Sequence, residues 1–177
     1  MKRFFRPALI AAMLIAGAAR AEVIDSQANG FMVREIQTIA APPAKVWDAM
    51  GHIGAWWDPQ HTYDNDSSKL SIALRLGGVF VETLGADGGV EHMAVIYARP
   101  PRTLRMEGAL GPLQLYGVAG HMTWDLKAAG ADTQVILTYD VGGHAPGGLG
   151  QFSGPVNAVV GDQLLRLKHY VETGKPK

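Results

Sequence analysis

The sequence predicts an α+β domain, a curved seven-stranded antiparallel sheet around a long C-terminal helix, with two short helices after the first strand. Three observations predict it. Phe152, Val156, Val160, Leu164, Leu167 and Val171 recur at three- and four-residue steps, the repeat of a helix with one apolar face. Upstream, mostly short alternating runs are separated by compact turn signals, which favours an antiparallel meander. A long amphipathic helix cannot bury its stripe alone, so a sheet assembled from those runs is its simplest partner.

The elements follow in chain order. Residues 22–30 read as a flexible lead-in. Residues 31–40 alternate as a first strand, with Met32, Arg34, Ile36 and Thr38 on one side. Ala41-Pro42-Pro43 breaks it, and Pro43 suits the first turn of a helix. Residues 44–50 continue that helix on Val46, Trp47 and Met50, and residues 52–57 add one more turn before Asp58-Pro59. After a loop at 61–65, residues 69–76 alternate with Leu70, Ile72, Leu74 and Leu76 inward. Gly77-Gly78 and Asp87-Gly88-Gly89 turn the chain into strands at 79–85 and 90–98. Pro100-Pro101 leads into 103–108, and 109–117 reads as a loop. The last two strands, 118–128 and 133–141, carry Met122, Trp124 and Leu126, and Leu137, Tyr139 and Val141, on shared faces. A glycine-rich stretch, 142–150, precedes the helix, which Gly174 and Pro176 stop.

The beginning of the chain reads differently. Lys2, Arg3 and Arg6 precede an apolar stretch, 8–18, too short to span a bilayer comfortably. Ala19-Arg20-Ala21 is an A-x-A cleavage pattern. The expectation is a signal peptide over 1–21, cleaved after Ala21, and a single domain over 22–177. The product would be periplasmic or secreted, with no membrane span after cleavage. Of the 16 Lys and Arg residues that balance 16 Asp and Glu, several lie in that segment, and no basic run remains beyond it. Such a balance argues against nucleic acid as a partner. The absence of cysteine excludes disulfides, thiolate nucleophiles and thiolate metal sites. Asp58, His61, Asp64 and Asp66 fit no recognised metal spacing, and no phosphate loop or dinucleotide fingerprint is present. Neither a metal nor a cofactor is expected.

Four features together carry a resemblance: Pro42-Pro43-Ala44-Lys45-Val46-Trp47 after a first strand, the Trp56-Trp57 pair, the Gly77-Gly78-Val79-Phe80 turn, and the terminal helix. In element order the chain resembles the START-like, or SRPBCC, superfamily, which includes polyketide cyclase-like and Bet v 1-like helix-grip proteins. The resemblance implies a cavity between the curved sheet and the C-terminal helix. It also implies a lipid or polyketide-like hydrophobic partner, which some members bind and others modify.

Inward strand positions would line such a cavity: Leu74, Phe80, Leu84 and Ile96, then Met106, Met122, Trp124 and Leu137. The alternative is that they fill a solid core. Glu82 shares strand parity with Phe80 and Leu84 and should point inward. A hairpin loop centred near Asp87 would set His92 directly opposite it, close enough to act as an acid/base pair. A two-residue Asp87-Gly88 turn would instead separate them, and a structural ion pair is the other alternative. Trp56 or Trp57 could stack on a flat ligand, with His61 or Tyr63 hydrogen-bonding to it.

The expected catalytic pair is therefore Glu82 and His92. The expected ligand-binding set is Trp56, Trp57, His61, Tyr63, Phe80, Met106 and Trp124. The leading function is binding of a small hydrophobic molecule. A cyclase, dehydratase or isomerase using Glu82 and His92 is the second reading, and a protein-interaction module the third.

Overall fold

The computed structural model describes residues 20–177. Eight antiparallel strands form one sheet: β1 (Arg20–Gln27), β2 (Gly30–Ile39), β3 (Leu70–Ile72), β4 (Val79–Leu84), β5 (Gly88–Arg99), β6 (Thr103–Gly108), β7 (Gly117–Ala129) and β8 (Asp132–His144). Their order is β1-β2-β8-β7-β6-β5-β4-β3, so the meander from β3 to β8 ends against the first two strands. Two short helices, α1 (Pro43–Gly51) and α2 (Ile53–Trp56), follow β2, and α3 (Ser153–Thr173) closes the chain. This is the expected α+β architecture with one strand more.

The extra strand is β1. Its residues were expected as a flexible lead-in because their side chains show no alternation, and Ala21 to Asn29 are indeed exposed. Backbone pairing to β2, Glu22 opposite Arg34 and Gln27 opposite Gly30, orders them without a buried face. The expected basic region and apolar stretch before residue 20 lie outside the described residues. The expected cleavage point after Ala21 falls at the start of β1.

The apolar stripe of α3 packs on the sheet as its spacing predicts. Val160, Leu164, Leu167 and Val171 are buried, Leu164 and Leu167 completely. Complete burial of one such side chain contributes roughly 1.5–3 kcal/mol. Gly174, at φ 80°, ends the helix in the left-handed conformation that glycine adopts without strain. At the helix start, Phe152 packs on Tyr116 with ring centroids 5.8 Å apart.

The expected strand at 69–76 is shorter than its alternation suggests. Only Leu70–Ile72 pairs with β4, because residues 73–78 fold into a turn closed by the Gly78 N–H on the Arg75 carbonyl. A side chain at Gly78 would meet the Ala73 carbonyl oxygen at 2.0 Å. Leu76, expected inward, is therefore 71% exposed.

In β5, register shifts occur against β4 between Phe80 and Val81, and against β6 between Val95 and Tyr97. The first turns both His92 and Met93 inward. The second leaves Ile96 and Tyr97 both exposed, which corrects the inward placement of Ile96.

Candidate functional site

A cavity of about 590 Å³ opens between the first turns of α3, the 3-10 turn Gly111–Leu115 and the concave face of the sheet. Its wall is mostly apolar. Phe152, Val156, Val159 and Val160 come from the helix side, Leu110, Leu113 and Leu115 from the turn, and Trp57 and Phe80 from behind. Leu115 is 80% exposed at the rim.

The turn is tied to the core from below. The Tyr139 hydroxyl donates to the Gly108 carbonyl at 3.2 Å and accepts the Leu110 N–H at 3.2 Å. Burial holds the Tyr139 hydroxyl protonated well above its ordinary range. Across the mouth, the Tyr63 hydroxyl donates to Gln114 Oε1 at 3.1 Å, and Gln114 Nε2 donates to the Glu91 carbonyl at 2.9 Å.

Polar groups gather at one side of the cavity. His92 lies on the wall, its ring 4.7 Å from that of Phe80 and 6.1 Å from that of Tyr63. Glu82 sits behind it with no exposed surface. The Glu82 Oε1 accepts the backbone N–H groups of Tyr63 at 2.8 Å and Asp64 at 3.3 Å. Its Oε2 lies 3.3 Å from His92 Nε2, within reach of charge attraction but off the line of a good hydrogen bond. Desolvation, against the opposing pull of the Glu82 charge, pushes the His92 imidazole below its ordinary range and so favours the neutral ring. A neutral imidazole steadied by a carboxyl group is a chemically competent proton acceptor.

The pair does not meet by the expected register. The hairpin loop is centred one residue earlier, so Glu82 faces Val90 across the ladder. The register shift that follows, with Phe80 opposite Met93 and Val81 opposite Glu91, turns His92 back toward Glu82.

Of the expected ligand-binding residues, Trp57, His61, Tyr63 and Phe80 line this cavity. Trp56, Met106 and Trp124 do not. They surround a separate void of about 10 Å³ in the packed interior, where Trp56 meets Trp124 edge-on at 6.4 Å. The Trp56 indole donates to the Ala49 carbonyl, which anchors it between α1 and α2 and away from the cavity. Of the expected wall, Met122 lies at that void as well, and Leu137 is buried without lining the cavity.

Two buried polar side chains escaped the sequence reading. Gln163 is 1% exposed on α3. Its Oε1 accepts the Asp58 N–H at 2.9 Å, and its Nε2 lies 3.1 Å from His61 Nδ1. It therefore ties the loop after α2 to the closing helix. Glu35 is 2% exposed on β2, beneath α3, where only a glycine leaves room: a side chain at Gly161 would meet its Oε1 at 3.0 Å. Desolvation raises its carboxyl to about 7. Both were signalled in the pattern. Gln163 stands three residues after Val160 on the apolar stripe, and Glu35 shares parity with Phe31 and Val33.

A sheet gripping a terminal helix around a side-opening hollow defines a helix-grip domain. Its family follows from the sequence: residues 31–172 match the family described as polyketide cyclase / dehydrase and lipid transport, and the chain belongs to it. Solved structures agree on the fold. CalU16 from Micromonospora echinospora is similar at TM-score 0.60 and 17% identity, with 91% of this chain and 88% of that one covered. The Aha1 dimer from Colwellia psychrerythraea is similar at TM-score 0.58 and 22% identity, covering 81% and 98%. EF2215 from Enterococcus faecalis, a conserved protein of unknown function, is similar at TM-score 0.58 and 16% identity, covering 88% and 78%. No curated protein matches the sequence.

Proposed function

We propose that the protein binds a small hydrophobic molecule, lipid or polyketide-like, in the cavity beside the start of α3. The observation that carries this reading is the cavity itself. Its 590 Å³ lies within the roughly 300–1,000 Å³ of small-molecule sites, and its wall is apolar with a few convergent polar groups. The family description points the same way. The test is to fill the hollow. Val156→Trp and Val159→Trp place indoles in it, and both variants should fold yet lose binding of naphthalene, followed by native mass spectrometry or thermal stabilisation. Undiminished binding by the folded variants would remove the cavity from the function.

One observation favours chemistry in addition to binding. His92 is a neutral imidazole on the wall with Glu82 behind it. In that second reading His92 takes a proton from the ligand and Glu82 steadies the ring, as in a cyclase, dehydratase or isomerase. His92→Phe should then abolish turnover while naphthalene binding survives. Turnover that persists in that variant would exclude the role.

We also propose export. The motivation is the basic residues, apolar stretch and Ala19-Arg20-Ala21 pattern at the beginning of the chain. The mass of the protein recovered from its host should correspond to a chain beginning at Glu22, and an intact Met1 would refute it.

A further inference from the structure

The cavity wall holds two imidazoles that meet different partners from behind, an amide at His61 and a carboxyl group at His92. At His61 one neighbouring group has no choice of role. The Asp58 backbone N–H can only donate, and it reaches Gln163 Oε1 at 2.9 Å. The amide of Gln163 is thereby oriented, and its Nε2 faces His61 Nδ1 at 3.1 Å. An amide nitrogen only donates, so His61 Nδ1 must accept, and the ring proton of the neutral imidazole sits on Nε2. His61 is exposed at the cavity, and its Nε2 has no partner among the described residues.

At His92 the arrangement is reversed. Two backbone N–H groups occupy Glu82 Oε1, and Glu82 Oε2 faces His92 Nε2 at 3.3 Å. The two atoms are not aligned for a hydrogen bond, but charge attraction to the carboxyl oxygen favours the ring proton on Nε2. In that tautomer Nδ1 keeps its lone pair, and the ring lines the cavity.

We infer that the two rings hold the same tautomer but show the cavity opposite edges, a donor at His61 Nε2 and an acceptor at His92 Nδ1, so that the hydrophobic ligand carries both a carbonyl and a hydroxyl. This rests on the binding reading above and goes beyond it by naming the polar groups of the ligand. Gln163 and Glu82 are positioning residues: neither needs to touch the ligand, and each sets what its histidine offers. An unpaired donor or acceptor left buried beside a purely hydrocarbon ligand is costly, which is the physical source of the selectivity.

The test has two independent arms on the full chain. In the first, nitrogen-15 NMR of the histidine side chains reads the tautomers directly, with no ligand. Both rings should carry the proton on Nε2 in the native protein. In Glu82→Gln, the Tyr63 and Asp64 N–H groups still require the side-chain oxygen, so the new amide nitrogen faces His92 Nε2 and drives the proton to Nδ1. A purely structural role for Glu82 predicts no such change. His92 found with its proton on Nδ1 in the native protein, or unmoved in Glu82→Gln, would overturn the assignment.

The second arm measures affinity for naphthalene, 2-naphthol and 2-acetylnaphthalene. Each polar group should add roughly fivefold over naphthalene, the worth of one net hydrogen bond. Glu82→Gln should abolish the preference for the naphthol alone. Gln163→Met should abolish the preference for the ketone alone. Equal binding of all three probes by the native protein would overturn the ligand class and leave the binding reading standing. Failure of all three to bind would overturn both, while the NMR arm still decides the tautomers.

Discussion

Glu35→Gln should make the protein more stable above neutral pH and leave it almost unchanged in mild acid. The carboxyl lies on β2 against α3, 2% exposed, and its Oε1 is a buried oxygen with no partner among the described residues. Desolvation raises it from 4.5 to about 7. The sign follows from linkage: the folded state holds the proton more tightly than the unfolded state. The contribution of Glu35 to stability is therefore greatest below pH 4.5, falls as the pH rises between 4.5 and about 7, and levels off above. The difference of about 2.5 pH units corresponds to about 3 kcal/mol at most. Gln has the same shape and no charge to desolvate, so the variant escapes that loss. At about pH 8.5 the gain should approach 3 kcal/mol, or on the order of 6–12 °C in Tm for a chain of this size. At about pH 4 the two proteins should agree within about 0.5 kcal/mol. Urea unfolding of both proteins across this range gives the difference directly, and other titrating groups cancel in the subtraction. A difference that stays constant from pH 4.5 to 7 would show that Glu35 is solvated in the folded state.

Three further outcomes are expected. Gly161→Ala should destabilise the native protein, because the new methyl meets Glu35 Oε1 at 3.0 Å; in a Glu35→Ala background it should instead stabilise by up to about 1 kcal/mol through helix propensity, and a double-mutant cycle reads the change of sign. Tyr139→Phe removes the two hydrogen bonds that hold Gly108 and Leu110; it should cost about 1–2 kcal/mol in urea unfolding and speed amide exchange at Leu110 selectively. Of the tryptophans, Trp57 lines the cavity while Trp56 and Trp124 lie in the packed interior, so fluorescence changes on probe binding should vanish in Trp57→Phe and persist in Trp124→Phe.

Much of the architecture was legible because it is written in periodicity. The stripe on α3 and the alternation of the later strands each follow from a face that must avoid water, and a repeat in sequence records such a face directly. β1 was not legible, since its order comes from backbone pairing to β2, which leaves no mark on side-chain pattern. Glu82 was placed inward by parity alone. His92 was placed beside it by a register that does not occur, and the pair forms only because a shift in β5 replaces the expected one. A register shift of one residue has no dependable sequence signature, and the same limit misplaced Ile96. The assignment of Trp56, Met106 and Trp124 to the cavity failed for a different reason. Parity tells which side chains leave the sheet inward, but not where helix α3 stops covering them. Gln163 and Glu35 were readable as polar residues standing on apolar positions, and the site rests on the first of them.

The two shifts in β5 have a consequence for how this strand can vary. The first reverses which residues face the interior, and the second restores the original phase before Ala98, so Met93 to Val95 lie in a short segment out of step with the rest of the strand. Such a segment is bounded like a cassette. Residues within it can be exchanged without altering which side chains Tyr97 to Arg99 present to water. Deleting a single residue inside it would do the opposite, carrying the change of phase down the remaining strand and turning its solvent-facing side chains into the core.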